Sequence, residues 1–362
     1  MTKYYTRACN FFYGQDSRQL VKKKLTLPLW NNSSISFNQI ELFSRNKKKI
    51  KNKIIDLKNI KKLPNKIKEK VIQDLKKITS KRDFLGKKSH AIMGVINMTP
   101  DSFSDGGDYN TFKKANQRIK KLIKSGADLI DIGGESTRPG SKVINPKNEL
   151  ERVKSVIKKF KNSFSETLLS IDTRKSQVID YAIKIKVDIV NDVSCFKFDQ
   201  NSHKSVRNKN IWKIIHHMQG TPQTMQKNPK YQHVLLDIYD FFEKEISNFK
   251  NDKYKRKLIL DPGIGFGKKL KHNLMILNKI SIFHSLGFPI LIGTSRKRFI
   301  NQISGKYDTK ERIGGTLSSI MYSFSQGVKI FSVHNVEEVK QGLLVFEKLL
   351  NKWKKSILEL MA

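Results

Sequence analysis

Polar side chains recur in this sequence directly after short apolar segments, from residue 90 onward. A single polar residue in such a place is usually a turn former or a helix cap. Eight segment ends that all carry polar residues are poorly explained by capping. The residues concerned are Asn97, the run GGESTRPG at 133–140, Asp172, Asn191, Asp192, His216, His217, Asp261, the run Ser295-Arg296-Lys297, and His334.

Three of these residues offer hydrogen-bond acceptors for a flat ligand. Asp172, Asn191 and Asp261 follow three different segments, and a carboxylate accepts two parallel N–H bonds. A buried carboxylate without a partner is costly. We therefore expect these residues to grip the edge of a planar heterocycle that carries amide and amino hydrogens.

Other residues of the set suit an anionic ligand. Arg138, Lys297 and His334 are cationic or can become so, which fits a diphosphate or a carboxylate. Asn97 offers a neutral oxygen, which suits Mg²⁺ shared with phosphate oxygens. The sequence has no HExxH motif and no carboxylate cage, so the expectation of a metal rests on Asn97.

Two loops are rich in glycine. Thr99–Gly107 (TPDSFSDGG) resembles a mobile lid with an apolar tip, and a plain turn is the alternative. Asp261–Lys268 (DPGIGFGK) fails the spacing of a phosphate-binding P-loop. Its glycines let the backbone approach a flat ligand closely.

The elements that position these residues are predicted by alternating apolar runs and amphipathic stretches. Helical spacing is clear in Thr111–Lys124 and Glu149–Lys161. The predicted strands are Ala91–Asn97, Asp128–Ile132, Leu168–Asp172, Asp188–Asp192, Trp212–His216, Leu258–Asp261, Pro289–Ile292 and Lys329–Val333. Eight strand–helix units in about 260 residues predict an α/β protein, a closed (β/α)8 TIM barrel with its site at the carboxyl ends of the strands. An open doubly wound sheet is the alternative, but the GxGxxG typical of it is missing after the first strand.

The first 88 residues have a different composition. In residues 1–90 the Lys and Arg residues exceed the Asp and Glu residues by 18, and in the rest by 21, within a total of +39 over 362 residues. We predict a Lys-rich accessory region at 1–88, with a helix from Pro64 to Lys77 and a solvated loop at Lys47–Lys53, followed by the barrel at 89–362. Because the excess is spread over the whole chain, we expect no nucleic-acid partner.

Composition also bears on the compartment. No apolar run is long enough to span a membrane, and the start lacks the apolar core of a signal peptide. The two cysteines, Cys9 and Cys195, cannot form a disulfide framework. These features favour a cytoplasmic protein.

Several of these segments, taken in order from about residue 90 to 350, resemble dihydropteroate synthases. The first two are long and specific. The matching segments are 92–107 (IMGVINMTPDSFSDGG), 131–141 (DIGGESTRPGS), 171–172, 191–192, 217–220 (HMQG), 261–273 (DPGIGFGKKLKHN) and 293–297 (GTSRK). The resemblance implies a transferase of folate biosynthesis that condenses 6-hydroxymethyl-7,8-dihydropterin diphosphate with 4-aminobenzoate, giving 7,8-dihydropteroate and diphosphate. It also implies a homodimer.

The resemblance further implies a role for each matching residue. It makes Thr137, Asp172, Asn191, Asp261 and Lys297 the pterin site. It makes Phe103, Arg138 and Ser295 the 4-aminobenzoate site, and Asn97, Ser332 and His334 the diphosphate site, with Asn97 as the Mg²⁺ ligand. Among these, Asn97, Arg138, Lys297 and His334 are the catalytic residues it implies.

The last strand departs from the family pattern. The family usually reads Arg-Val-His-Asp where this chain has Ser332-Val333-His334-Asn335. A serine donates one hydrogen bond and carries no charge, so diphosphate loses a cationic partner. This leaves a pterin-binding barrel of low catalytic activity with a basic interaction surface as the alternative function. A pterin-dependent methyltransferase is a further alternative, against which the loops at 99–107 and 136–140 argue.

Overall fold

The larger part of the protein is a closed barrel of eight parallel strands. The structure is a computed structural model that describes residues 2–86, 90–99, 108–305 and 308–352. The eight strands pair in one continuous order, from the strand that contains Leu260 round to the short strand that follows Ile290. A parallel bridge between Leu260 and Ile290 joins the two ends of this order, so the sheet closes and the predicted (β/α)8 fold is confirmed.

The barrel elements alternate along the chain. The strands are β5 (Ala91–Asn97), β6 (Leu129–Gly133), β7 (Leu168–Asp172), β8 (Ile189–Asp192), β9 (Trp212–His216), β10 (Leu258–Asp261), β11 (Leu291–Ile292) and β12 (Ile330–Val333). The helices are α3 (Asp108–Lys124), α4 (Pro146–Ser163), α5 (Ser176–Lys184), α6 (Ser202–Val206), α7 (Val234–Asn248), α8 (Leu270–Asn278), α9 (Arg298–Ser304), α10 (Ile313–Phe324) and α11 (Val336–Lys352). Four strands match their predicted bounds, and the other four differ by one or two residues.

Side chains on each strand alternate between the barrel interior and the surrounding helices. On β12, Ile330 belongs to the apolar cluster inside the barrel, whereas Phe331 and Val333 belong to the cluster beneath the helices. By the same alternation Ser332 and His334 face inward. Apolar side chains therefore fill the barrel at the amino-terminal ends of the strands, and polar side chains line it at the carboxyl ends.

Residues 2–86 form an ordered module with an antiparallel sheet. Its strands are β1 (Lys3–Tyr13), β2 (Leu27–Leu29), β3 (Asn32–Asn46) and β4 (Lys49–Asp56), and its helices are α1 (Gly14–Lys22), a 3₁₀ helix (Leu57–Lys62) and α2 (Asn65–Thr79). The prediction of a loop at Lys47–Lys53 is wrong, because β4 begins at Lys49. Among the described residues this strand pairs only with β3, and most of its own residues are exposed. The apolar alternation that marks a half-buried strand is therefore missing.

The module packs against the barrel through buried side chains. Tyr5 lies edge-on against Tyr239 of α7 with ring centroids 5.1 Å apart. Arg82 donates to the carbonyl of Phe288 at 3.1 Å and to that of His284 at 2.5 Å. Leu85, 6% exposed, belongs to the apolar cluster inside the barrel. The module thus closes the barrel from the end opposite the polar residues.

No helix in the described parts of the chain is long and apolar enough to cross a membrane.

Candidate active site

The polar residues predicted at the strand ends come together at one mouth of the barrel. Asn97, Asp172, Asn191, Ser332 and His334 lie at inward-facing positions, and all are half-buried. Half-burial is what an open pocket at the carboxyl ends of the strands produces. The structure therefore brings these predicted residues together at one end of the barrel.

Three neighbouring strands present acceptor oxygens that lack a donor. Asp131 Oδ1, Asp172 Oδ1 and Asn191 Oδ1 are enclosed and have no hydrogen-bond partner within the described residues. Asn191 Nδ2 donates to the other Asp131 oxygen at 3.0 Å. A ligand edge that carries several N–H groups would satisfy these oxygens, which are costly to leave unpaired.

Asp131 was missed by the sequence analysis. It lies inside an apolar strand rather than at its end, and its side chain is 4% exposed. A lone carboxylate within the run LIDIG was the signal available. Its environment raises its pKa, chiefly by burial and also through the negative charge of Asp261, against the hydrogen bond from Asn191.

Asp172 is held in a similar environment. Burial, followed by the charges of Asp131 and Glu149, raises its pKa well above the ordinary value. Gly133 on the neighbouring strand makes room for it, because a Cβ there would lie 3.3 Å from Asp172 Cβ. Asp131 and Asp172 therefore disfavour each other's ionised forms, and proton donors in a ligand would relieve this.

Asp261 differs because protein groups already stabilise its charge. His216 Nδ1 lies 3.1 Å from Asp261 Oδ2, and the Gly263 amide donates to Oδ1 at 2.7 Å. Burial would raise the pKa of Asp261, but His216, the Gly263 amide and Lys297 together lower it. Gly263 has φ +66°, and a Cβ on it would lie 2.1 Å from the His217 carbonyl oxygen. Glycine is therefore required at this turn.

Two lysines adjoin Asp261, of which Lys268 is buried and Lys297 is half-buried. Lys297 lies over the Phe266 ring, with its Nζ 4.1 Å from the centroid. Burial lowers its pKa to about 8, against the charges of Asp261 and Asp172. Lys268 Nζ lies 3.0 Å from His217 Nδ1, and burial lowers its pKa to about 7. A cation and a flat aromatic face thus stand beside the carboxylate.

His334 lies among cations. Its Nδ1 is 3.2 Å from Ser295 Oγ. Burial lowers its pKa to about 3, and the charges of Arg296, Lys297, Arg138 and Arg118 act in the same direction, in that order. The ring is therefore neutral at physiological pH, and the surrounding arginines supply the positive charge for an anion.

The sequence analysis gave Arg118 no role and named Arg296 only in the polar run Ser295-Arg296-Lys297. Arg118 Nη2 on α3 donates to the His334 carbonyl at 2.9 Å. Arg296 donates through Nε and Nη2 to Asn335 Oδ1 at 3.2 and 2.9 Å. Both pairs hold the end of β12 against neighbouring elements. Arg118 lies in the middle of α3, and nothing in the sequence indicated its contact with β12.

The remaining predicted site residues lie at the rim or outside the described residues. Thr137 is half-buried and Arg138 is exposed, on a loop whose Gly140 amide donates to the Pro222 carbonyl at 3.0 Å. Ser295 is 5% exposed. Phe103, and with it most of the predicted lid, lies outside the described residues.

Buried ion pairs support the loop that carries Thr137 and Arg138. Glu135 accepts from Arg174 at 2.6 Å and pairs with Lys175 at 3.0 Å. Lys175 also pairs with Glu149. These contacts connect the end of β6 to the residues after β7, so the rim is anchored just behind Asp172. Removing either partner would leave an uncompensated buried charge.

The described residues contain no group of three or more His, Cys, Asp or Glu side chains that could hold a metal by themselves. Asn97 offers one neutral oxygen beside the cationic cluster. This set fits Mg²⁺ only as an ion shared with a ligand's phosphate oxygens, which is a common arrangement for this ion.

Together the fold and the site define a barrel enzyme that binds a flat, N–H-rich heterocycle next to an anion. The family model for pterin binding enzymes matches residues 93–334. Dihydropteroate synthase of Escherichia coli K12 is 37% identical over 72% of this chain and 92% of its own length. That of Synechocystis is 37% identical over 73% of this chain and 91% of its own.

Solved structures agree. A Yersinia pestis dihydropteroate synthase in a sulfonamide drug complex has a TM-score of 0.68 at 35% identity, covering 72% of this chain and 94% of that one. A Xanthomonas albilineans dihydropteroate synthase with 4-aminobenzoic acid has a TM-score of 0.67 at 32% identity, with the same coverage. The chain belongs to the dihydropteroate synthase family of pterin-binding enzymes.

Proposed function

We propose that this barrel joins 6-hydroxymethyl-7,8-dihydropterin diphosphate to 4-aminobenzoate and releases diphosphate, with the residue roles given below. The observation that carries the proposal is the row of unpaired oxygens on Asp131, Asp172 and Asn191, next to the ionised Asp261. A pterin edge offers N–H groups that match such a row.

The pterin is held by Asp172, Asn191, Asp261 and Lys297, with Thr137 at the rim. Asp261 accepts ring N–H groups as a carboxylate. Asp172 and Asn191 accept hydrogen bonds from the remaining N–H groups of the pterin, and Lys297 donates to a ring acceptor. Burial in the barrel strengthens each of these bonds relative to water.

The diphosphate lies toward β12. Asn97, Ser332 and His334 contact it, and Arg138 and Arg296 supply positive charge. Asn97 would hold Mg²⁺, and the ion would add stabilisation of the charge on the leaving diphosphate. Preorganised cations are effective here because they need no rearrangement as charge develops.

The second substrate, 4-aminobenzoate, enters from the rim through Phe103, Arg138 and Ser295. Its carboxylate suits Arg138 and the Ser295 hydroxyl. Diphosphate departs first, leaving a pterin methylene cation that the arylamine attacks. The arylamine attacks as a neutral nucleophile, and the protonated nitrogen formed then releases its proton to water or to the departing diphosphate, so no strong general base is needed.

A steady-state assay of diphosphate release tests this proposal. Release should depend on added 4-aminobenzoate and yield 7,8-dihydropteroate. Pterin binding with negligible turnover would instead support a binding barrel of low activity, for which the serine at 332 is the specific motivation.

We further propose a cytoplasmic homodimer. Both cysteines are free and buried.

Tyr322 on α10 and Val345 and Leu349 on α11 are large apolar side chains exposed on adjacent helices. A second copy would bury them. Sedimentation equilibrium should give twice the chain mass, and Val345→Asp should shift it toward the monomer.

A further inference from the structure

His216 has no role in the family resemblance, yet it touches Asp261. The two residues are register partners on the adjacent strands β9 and β10. Ile214 and Ile259, two residues before them, belong to the interior cluster. His216 and Asp261 therefore both face the barrel interior, in the layer that binds the ligand.

The imidazole is fixed on several sides. Its ring stands edge-to-face on Phe266, with centroids 4.6 Å apart at 82°. Its Nδ1 is 3.1 Å from Asp261 Oδ2, and the side chain is 4% exposed. Facing an ionised carboxylate, Nδ1 carries the proton and donates it. Its Nε2 has no hydrogen-bond partner in the described parts of the chain.

We propose that His216 is a positioning residue of the pterin site, which holds the Asp261 carboxylate in the orientation and charge state that the ring N–H groups require. The inference rests on the proposed role of Asp261 toward the pterin. With His216 at Oδ2 and the Gly263 amide at Oδ1, the carboxylate is fixed before the ligand arrives. Preorganisation of this kind lowers the cost of binding.

The effect should appear as a pH dependence of binding. Asp261 has a lowered pKa, to which His216 contributes through its charge and its hydrogen bond. The other charged groups that face Asp261 are Asp131, Lys268 and Lys297. Without His216 the pKa of Asp261 rises. The carboxylate then takes up a proton as pH falls, and pterin affinity is lost at a higher pH than in the wild type.

Calorimetry with 6-hydroxymethylpterin between pH 5.5 and 8.5 tests the proposal. At the acid end, His216→Phe should weaken binding by about tenfold to 100-fold, as expected for a hydrogen bond to a charged group. The loss should be smaller at the alkaline end. His216→Asn, which keeps an N–H near the position of Nδ1, should restore most of the affinity, whereas His216→Gln, which places it near Nε2, should not.

A double-mutant cycle separates this inference from the proposed function. Adding His216→Phe to Asp261→Asn should cost little more, because the shared partner is gone. Wild-type affinity in His216→Phe, alongside weak binding in Asp261→Asn, would overturn the role of His216 alone. Wild-type affinity in Asp261→Asn would overturn the pterin site itself. Equal binding by the Asn and Gln variants would also contradict the role of Nδ1.

Discussion

At the scale of single residues, Asp172 and Asp261 occupy similar positions and have opposite electrostatics. His216, the Gly263 amide and Lys297 stabilise the Asp261 charge, whereas Asp131 and Glu149 oppose that of Asp172. The sequence places both carboxylates at the mouth of the barrel, but it does not show these neighbours. Two residues of the same type therefore have pKa values shifted in opposite directions within one site.

We expect Asp261→Asn to weaken pterin binding more than Asp172→Asn does. The first change removes a charge that the protein stabilises, at a cost of about 2–5 kcal/mol. The second removes a charge that burial, Asp131 and Glu149 all disfavour, so less stabilisation is lost. Calorimetry with 6-hydroxymethylpterin at pH 7 measures both changes. Equal losses would mean that Asp172 also binds as a carboxylate.

Ser332→Arg should raise turnover. Ser332 faces inward, and the neighbouring Gly293 has no side chain to block a longer one. A guanidinium would reach the diphosphate, and a gain of about 1.4 kcal/mol gives a tenfold higher rate. Steady-state kcat measures it, and Ser332→Met supplies the length without the charge. An unchanged kcat in the folded arginine variant would show that Arg296 or Arg138 already fills this role.

At the scale of elements, the turn after β10 holds the pterin site through its backbone. Gly263→Ala combines a left-handed φ with a contact of 2.1 Å to the His217 carbonyl, so the turn must move. We expect weakened pterin binding and a free energy of unfolding lower by at least about 1 kcal/mol. Calorimetry and urea unfolding measure the two effects.

Gly86→Ala is the matched control for the turn. It has φ +73° and nothing within 4 Å of the added Cβ. This variant should lower the free energy of unfolding through the strain of a positive φ, and it should leave pterin affinity unchanged. Similar loss of affinity in both variants would mean that the contact with His217 is not what holds the site.

A strand can be predicted from the sequence when its side chains are buried, because burial leaves a pattern of apolar residues. The barrel strands are apolar on both faces, so their runs are clear, and the site follows from their ends. Asp131 was missed because it lies within such a run, and β4 because an exposed edge strand has no apolar alternation. Contacts between distant segments, such as Arg82 with His284, leave no local pattern at all.

At the scale of the whole molecule, the module at 2–86 lies away from the site, but its residue Leu85 packs in the apolar core of the barrel. Leu85→Ala should therefore lower the free energy of unfolding by about 2–5 kcal/mol, as for other buried leucines. Pterin affinity should not change, because Leu85 packs in the apolar cluster beneath the polar layer. Urea unfolding and calorimetry together check this, and an affinity change without destabilisation would contradict it.

A chain that begins at Lys87 should keep measurable turnover wherever it stays folded, since the polar strand ends all follow residue 90. It should melt at a lower temperature, because Ile280–Leu286, fully buried in the intact protein, would lose the cover of β1 and α2. Thermal scans and the diphosphate assay measure the two properties. A folded truncation without activity would place part of the module in the reaction.

The docking of Tyr5, Arg82 and Leu85 also bears on the order of events during synthesis. These residues leave the ribosome early, whereas Tyr239, His284 and the last strand β12 emerge far later. The module has an apolar core of its own, built from residues between Ala8 and Ile78, and domains generally fold from the amino terminus as they are made. Its contacts with the barrel join residues far apart along the chain, and closing such long loops costs entropy, so we expect them to form late. We therefore expect the module to fold before the barrel and to dock against it once β12 is in place.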